Sequence, residues 1–104
     1  MNLPFKLTPE IVSEVASPKG LETMTSLMEF IGATDRHIPL PLVAYVGVRC
    51  GVSAECVQVC IAALLHADMI GYRLHPTDEQ DTTVFSTPKL REAIERFAVP
   101  TIPF

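Results

Sequence analysis

Three cysteines lie close together in the segment CGVSAECVQVC, as Cys50, Cys56 and Cys60. Thiolates bind zinc and are also the reactive form in redox switches. Cys56 and Cys60 are one helical turn apart, and His66 follows on the same predicted helix, so a thiolate–imidazole metal site is one interpretation. A redox switch at Cys56, which we expect to lie nearest the surface, is another. An odd number of cysteines is not typical of a disulfide framework.

Ordinary buried thiols are the simpler interpretation of this cluster. Cys50 and Cys60 occupy apolar positions of their predicted helices, and free cysteine is among the most buried residue types. A single CxxxC spacing is much less specific than paired CxxC knuckles. Glu55, next to Cys56, disfavours a thiolate rather than stabilising it. We therefore predict no metal site and no cofactor, and keep Cys56 as the redox candidate.

The sequence contains no pattern that predicts catalysis. No Ser-His-Asp arrangement, phosphate-binding loop or pair of catalytic carboxylates can be recognised. Glu92 and Glu95 share a predicted exposed helix face with Arg91 and Arg96, which is typical of a solvated surface. We therefore expect a protein that is not an enzyme.

The composition limits the class of protein. The chain has 104 residues, of which 48% are hydrophobic, which suits one domain with a real core. It lacks an apolar run of about 18 residues, so we expect no membrane span. Its first residues do not form a secretory signal, so we expect a cytoplasmic protein. The net charge of −4 argues against a strongly basic nucleic-acid binder.

Cap signals and hydrophobic spacing predict the elements that position these residues. Thr8, Ser17, Ser53 and Thr87 each precede a helical apolar pattern, and three of them are followed directly by proline. A further helix is predicted from Pro41 to about position 50, after a short extended piece. GYRLH and TTVFS alternate as strands do, which predicts a hairpin around the loop PTDEQD. We expect one domain over 1–104, with N-terminal helices in 1–36, a core in 37–98 and an extended tail in 99–104.

Residues 38–97 resemble a winged helix-turn-helix, the domain of MarR-, ArsR- and PadR-type bacterial transcriptional regulators. Gly47 lies four residues before the turn Gly51, where two such helices approach closely. LLHADMIGYRLHP resembles LxxxGLIxRxxxP, and TTVFSTPKLREAI resembles the return strand of the wing with its following helix. Asp68 and Leu90 stand where the family usually has glycine. The resemblance implies a mainly α, α+β fold with two N-terminal helices, a β-hairpin wing and a C-terminal helix.

The resemblance also implies a recognition helix that reads double-stranded DNA. Gln58 would pair with adenine, Glu55 with the amino group of cytosine, and Ser53 with a phosphate. Arg49 and Arg73, on the preceding helix and the wing, would anchor the DNA backbone. The implied DNA-binding residues are Arg49, Ser53, Ala54, Glu55, Gln58, Val59, Ala62 and Arg73. The leading hypothesis is therefore a small transcriptional regulator that binds DNA, as a homodimer.

The same residues support a second hypothesis, a winged helix that binds a protein as an anti-regulator or adaptor. The recognition helix carries no Lys or Arg, and the predicted wing loop carries Asp78, Glu79 and Asp81, which would repel phosphates. The basic residues are scattered along the chain. The tail AVPTIPF is either a frayed terminus or an extended apolar segment that docks into a groove on a second subunit.

Overall fold

The protein is mainly helical, with a small three-stranded antiparallel sheet. The structure, a computed structural model, describes residues 5–34, 36–74 and 82–98, except for the side chains of positions 97 and 98. Within these residues the elements are α1 (Pro9–Ala16), α2 (Pro18–Gly32), β1 (Ile38–Pro39), α3 (Leu40–Val48), α4 (Ala54–His66), β2 (Ile70–Arg73), β3 (Thr83–Ser86) and α5 (Pro88–Ala98). This element content confirms an α+β architecture.

The predicted caps begin four of the five described helices. In each case the side-chain oxygen of the cap accepts a hydrogen bond from the backbone N–H three positions later. The distances are 3.3, 3.1, 3.1 and 3.4 Å for Thr8, Ser17, Ser53 and Thr87. Each cap satisfies a donor that the first turn would leave without a partner. α3 has no side-chain cap and begins at Leu40, one residue before the predicted start.

The turn between α3 and α4 depends on two glycines. A Cβ atom at Gly47 would lie 2.6 Å from Cγ1 of Val57, so the predicted close approach of the two helices is confirmed. Gly51 has a φ of 89°, a left-handed conformation that glycine adopts without steric cost. The two helices are thereby fixed against each other, with Ser53 at the start of α4.

The sheet has the strand order β1-β3-β2, and both pairings are antiparallel. Arg73 pairs with Thr83, which confirms the antiparallel pairing of the two predicted hairpin strands. The acidic loop residues between them lie outside the described residues. Asp68 adopts a φ of 59°, the left-handed region in which aspartate is tolerated better than most side chains. Asp68, which stands where the resemblance leads us to expect glycine, thus adopts a conformation that glycine also adopts readily.

One hydrophobic cluster joins α2, α3, α4, α5 and the strands. Its largest fully buried side chains include Leu27, Ile31, Ile61 and Leu90. Leu90 is therefore a core residue at the position where the resemblance leads us to expect glycine. The side chain of Phe97 and the tail 99–104 lie outside the described residues. Among the helices that the structure describes, none is long and apolar enough to cross a membrane.

Candidate interaction surface on α3 and α4

Only part of the predicted DNA-reading surface of α4 is open to solvent. Ala54 and Glu55 are exposed, whereas Gln58, Val59 and Ala62 are partly buried. The side chains in the middle of α4 are therefore less accessible than those at its start, and their role in reading DNA stays a prediction. Arg73 ends β2 and is exposed, and Arg49 is exposed just after α3. The structure places the two arginines on separate elements that flank α4.

A carboxylate from α1 closes the N-terminus of α4. The backbone N–H of Ser53 donates to Oε2 of Glu14 at 3.0 Å, and the Ser53 hydroxyl donates to Oε1 at 2.5 Å. The same hydroxyl accepts from the backbone N–H of Cys56 as the helix cap. Both donors of Ser53 are thus in use, so the predicted phosphate contact requires Glu14 to leave.

In this contact the N-terminus of α4 binds an anion from the same chain, the carboxylate of Glu14. Helix N-termini stabilise negative charge because their backbone N–H groups point outward. The hydrogen bonds from the Ser53 side chain and backbone lower the pKa of Glu14 below its ordinary value of 4.5. Glu14 therefore stays ionised and occupies the N-terminus of α4, where the sequence analysis expected a phosphate contact at Ser53.

Sequence reasoning missed this contact. It predicted a helix after Thr8 but did not identify Glu14, which lies 39 positions from Ser53. α1 packs against α4 in the fold. A glutamate on a short amphipathic helix is common, so the sequence holds no local signal for this partner.

Two of the three cysteines are buried, which corrects the expectation that Cys56 lies near the surface. Cys56 and Cys60 are both 0% exposed. Burial, with a smaller effect from the Glu14 charge, raises the pKa of Cys56. Burial and the neighbouring thiol raise the pKa of Cys60 to about 12. Both groups are therefore neutral thiols at physiological pH, a state that disfavours a redox switch.

No metal site can be assembled from the described residues. Within residues 5–34, 36–74 and 82–98, no three His, Cys, Asp or Glu side chains are grouped closely enough to hold an ion. Cys50 is partly exposed, unlike the other two thiols. The cysteine cluster thus serves the core of the described structure.

Gln58 is poorly placed to read a base. Its side-chain oxygen is buried and has no hydrogen-bond partner among the described residues. Leaving a buried acceptor without a partner costs about 1–3 kcal/mol. An amide held in this way cannot present both its donor and its acceptor to an adenine edge without moving.

α3 carries an exposed apolar face that the sequence analysis did not identify. Leu42, Tyr45 and Val48 are 45%, 57% and 45% exposed. Their spacing of three places them on one side of the helix, whereas Val43 and Gly47 are buried on the other side. The signal in the sequence is that LPLVAYVGV contains no charged residue.

Arg49 borders this face, which we call the α3 face and define as Leu42, Tyr45 and Val48. Its Nη1 donates to the hydroxyl of Tyr45 at 3.0 Å, and its guanidinium carbon lies 5.7 Å from the centre of the Tyr45 ring. The contact fixes a positive charge at the edge of an apolar strip. This arrangement can recognise an apolar partner surface that carries a carboxylate.

Comparison with known proteins found no matching family model, no similar curated protein and no similar solved structure.

Proposed function

We propose that this chain is a winged helix-turn-helix domain that binds a protein partner through the α3 face. Two packed helices joined by the Gly51 turn, followed by an antiparallel strand pair and a further helix, support the winged-helix assignment. The proposal takes the second of the two functions that the sequence suggests. The closure of α4 by Glu14 is the observation that carries this choice.

Glu14 weakens DNA binding in two ways. It uses the Ser53 donors that would meet a phosphate, and it adds a negative charge where the DNA backbone would approach. Neutralising phosphates with Lys or Arg supplies most of the non-specific affinity of DNA-binding proteins. The net charge of −4 and the exposed Glu55 reduce this affinity, although two cations, Arg49 and Lys19, lie near the Gly51 turn.

The α3 face has the chemistry of a protein-binding site. Tyr and Arg are enriched among the residues that contribute most to protein interfaces, and Tyr45 and Arg49 are already ordered against each other. The partner that fits is an amphipathic helix whose apolar stripe lies along Leu42, Tyr45 and Val48. An acidic side chain at the edge of that stripe would pair with Arg49.

DNA binding as a homodimeric regulator is the second candidate function. The exposed Arg49 and Arg73 favour it, because they flank α4 at the positions where winged helices contact the DNA backbone. In this function Glu14 would have to leave Ser53 when DNA binds. The homodimer and the double-stranded DNA partner both remain predictions.

Fluorescence anisotropy with a generic labelled duplex, at low and at moderate salt, separates the two functions. We expect no tight binding by the wild type at either salt concentration. Tight binding that collapses with salt, and that Arg73→Ala weakens for every sequence, would establish the DNA function instead. Glu14→Gln serves as the sharper probe, because a gain of affinity on removing this one charge would locate the phosphate site at Ser53.

A site-specific photo-crosslinker tests the protein-binding function directly. The reagent is placed at Leu42 on the α3 face and, as a matched control, at Leu21, which is 61% exposed on α2. The partner captured from Leu42 and not from Leu21 is then purified, and its affinity for the wild type and for Tyr45→Glu is measured. Equal capture from both positions, or equal affinity of both proteins, would exclude the α3 face.

A further inference from the structure

A groove of about 360 Å³ lies between the end of α4 and the sheet. Leu65 and His66 of α4, Tyr72 of β2 and Phe85 of β3 line it, so its walls expose polar groups together with apolar and aromatic side chains. Asp68 adds one exposed carboxylate. The groove is separate from the α3 face, and of the residues expected to bind DNA it includes Ala62.

The free edge of β2 faces this groove. Within the described part of the chain, β2 is an edge strand whose one neighbour is β3. The C=O of Met69 accepts from the N–H of Thr87 at 3.2 Å, on the β3 side of the strand. Since peptide groups alternate along a strand, those of Ile70 and Tyr72 point away from β3. Both residues line the groove, so an extended segment laid there can hydrogen-bond to β2.

We propose that the groove binds residues 99–104 of a second copy of this chain, VPTIPF, as an added extended strand. These residues lie outside the described structure, and their sequence suits the groove. Pro100 and Pro103 restrict the backbone to extended conformations, which reduces the entropy lost on binding. Ile102 and Phe104 retain their N–H groups and share one face of an extended strand. The N–H groups of these two residues point to the same edge of such a strand, and their side chains point to the same face.

The length of the chain makes a second copy the donor of this segment. α5 starts at the groove, because the Thr87 hydroxyl donates to the C=O of Asp68 at 2.6 Å. The 11 residues of α5 carry its end about 16 Å from that point. Six extended residues span about 19 Å. If this segment returned to the groove of its own chain, almost all of its six residues would be needed to span the distance, and few would remain to lie in the groove.

Reciprocal exchange between two copies fills both grooves with one symmetric contact. Arg96 is exposed near the end of α5, three positions before the segment. When the segment of one copy enters the groove of the other, this positive charge follows it toward the exposed Asp68. Glu95, next to Arg96, is also exposed, so the proposal rests on the strand contact and not on net charge.

Sedimentation velocity of the full-length protein over a concentration series tests the proposal with two matched variants. Ala62 lines the groove, and the adjacent Ala63 is exposed outside it. We expect the wild type and Ala63→Arg to dimerise and Ala62→Arg to dimerise at least about tenfold more weakly. A monomeric wild type at every concentration, or equal dimerisation of both variants, would overturn the proposal.

A second pair of variants lies in the segment and keeps the test valid if Ala62→Arg fails to fold. Ile102→Asp should weaken the dimer at least about tenfold, and Thr101→Asp, on the opposite face of the strand, should weaken it less. Equal effects of these two variants would exclude the assigned strand face. Tyr45→Glu should leave the dimer intact, so the groove and the α3 face can fail independently. A dimer broken by Tyr45→Glu and not by Ala62→Arg would move the self-contact to α3.

Discussion

The N-terminus of α4 and the exposed face of α3 belong to the same helix-turn-helix, yet their surfaces are opposite in kind. The first is polar and is satisfied within the chain, because Glu14 takes both donors of Ser53. The second is apolar and open, with Tyr45 57% exposed. A DNA-binding domain needs the reverse arrangement, with open donors at the recognition helix and charged residues around it. If the proposed function is correct, the partner is selected by the side chains of the site and not by the backbone arrangement alone.

The largest effect is expected at the open surface. Tyr45→Glu should reduce affinity for the protein partner by about 30-fold or more, since the tyrosine would anchor the interface and truncation of such residues costs about 2 kcal/mol or more. Because Tyr45 is exposed, its replacement should change the free energy of unfolding by less than about 0.5 kcal/mol. Isothermal titration calorimetry and chemical denaturation measure the two quantities.

Leu21→Glu is the control for this substitution. It replaces an equally exposed apolar residue on α2 and should leave partner affinity unchanged. A loss of affinity in both variants would show that a general change in surface charge, and not the α3 face, determines binding.

Substitutions at the N-terminus of α4, where Glu14 binds Ser53, should change the stability of the protein and not its affinity for a partner. Ser53→Ala removes the cap of α4 and the hydroxyl that donates to Glu14, so we expect it to lower the free energy of unfolding by about 1–2 kcal/mol. Denaturant titration measures this value. Ser13→Ala is the matched control, because Ser13 is exposed within α1. Equal stability of the two variants would contradict the capping contact.

Lowering the pH should weaken the contact between Glu14 and Ser53. The pKa of Glu14 is lowered in the folded protein, so its contribution to stability is present above the ordinary pKa of 4.5 and is lost as the pH falls through the folded value. The difference in unfolding free energy between the wild type and Glu14→Gln should therefore shrink between neutral and acidic pH. A difference that does not change with pH would show that the carboxylate is not held by Ser53.

The reactivity of the three cysteines toward a thiol reagent tests whether Cys56 and Cys60 are buried. Cys56 and Cys60 should resist a thiol reagent in the native protein at mildly alkaline pH, and the partly exposed Cys50 should react first. The raised pKa of Cys60, about 12, means that stability is complete below the ordinary thiol pKa of 9.0 and falls as the pH rises above it. Rapid native labelling of Cys56, located by mass spectrometry, would restore it as a redox candidate.

Local chemistry allowed most of the elements to be predicted, whereas the site depended on distant contacts. Ser17 and Thr87 marked helix starts because a cap acts within three residues. The depth of Cys56 could not be derived in this way, because the spacing of α4 alone leaves it at the edge of the apolar stripe. α1 packs against α4, and the charge of Glu14 is near enough to affect Cys56. Burial of the cysteine thus depends on a tertiary contact between segments about 40 positions apart.

The smallest effect concerns the one residue of α4 that was best suited to read a base. Gln58→Met keeps the length of the side chain and removes an acceptor that is buried without a partner. We expect the free energy of unfolding to rise by about 1 kcal/mol, whereas Gln58→Glu, which buries a charge at the same place, should lower it. A stable Gln58→Met protein that keeps full affinity for its protein partner would show that α4 reads no partner through this amide. If Gln58→Met instead loses stability, the amide has a hydrogen-bond partner in solution, and α4 regains a polar group that can be presented to DNA.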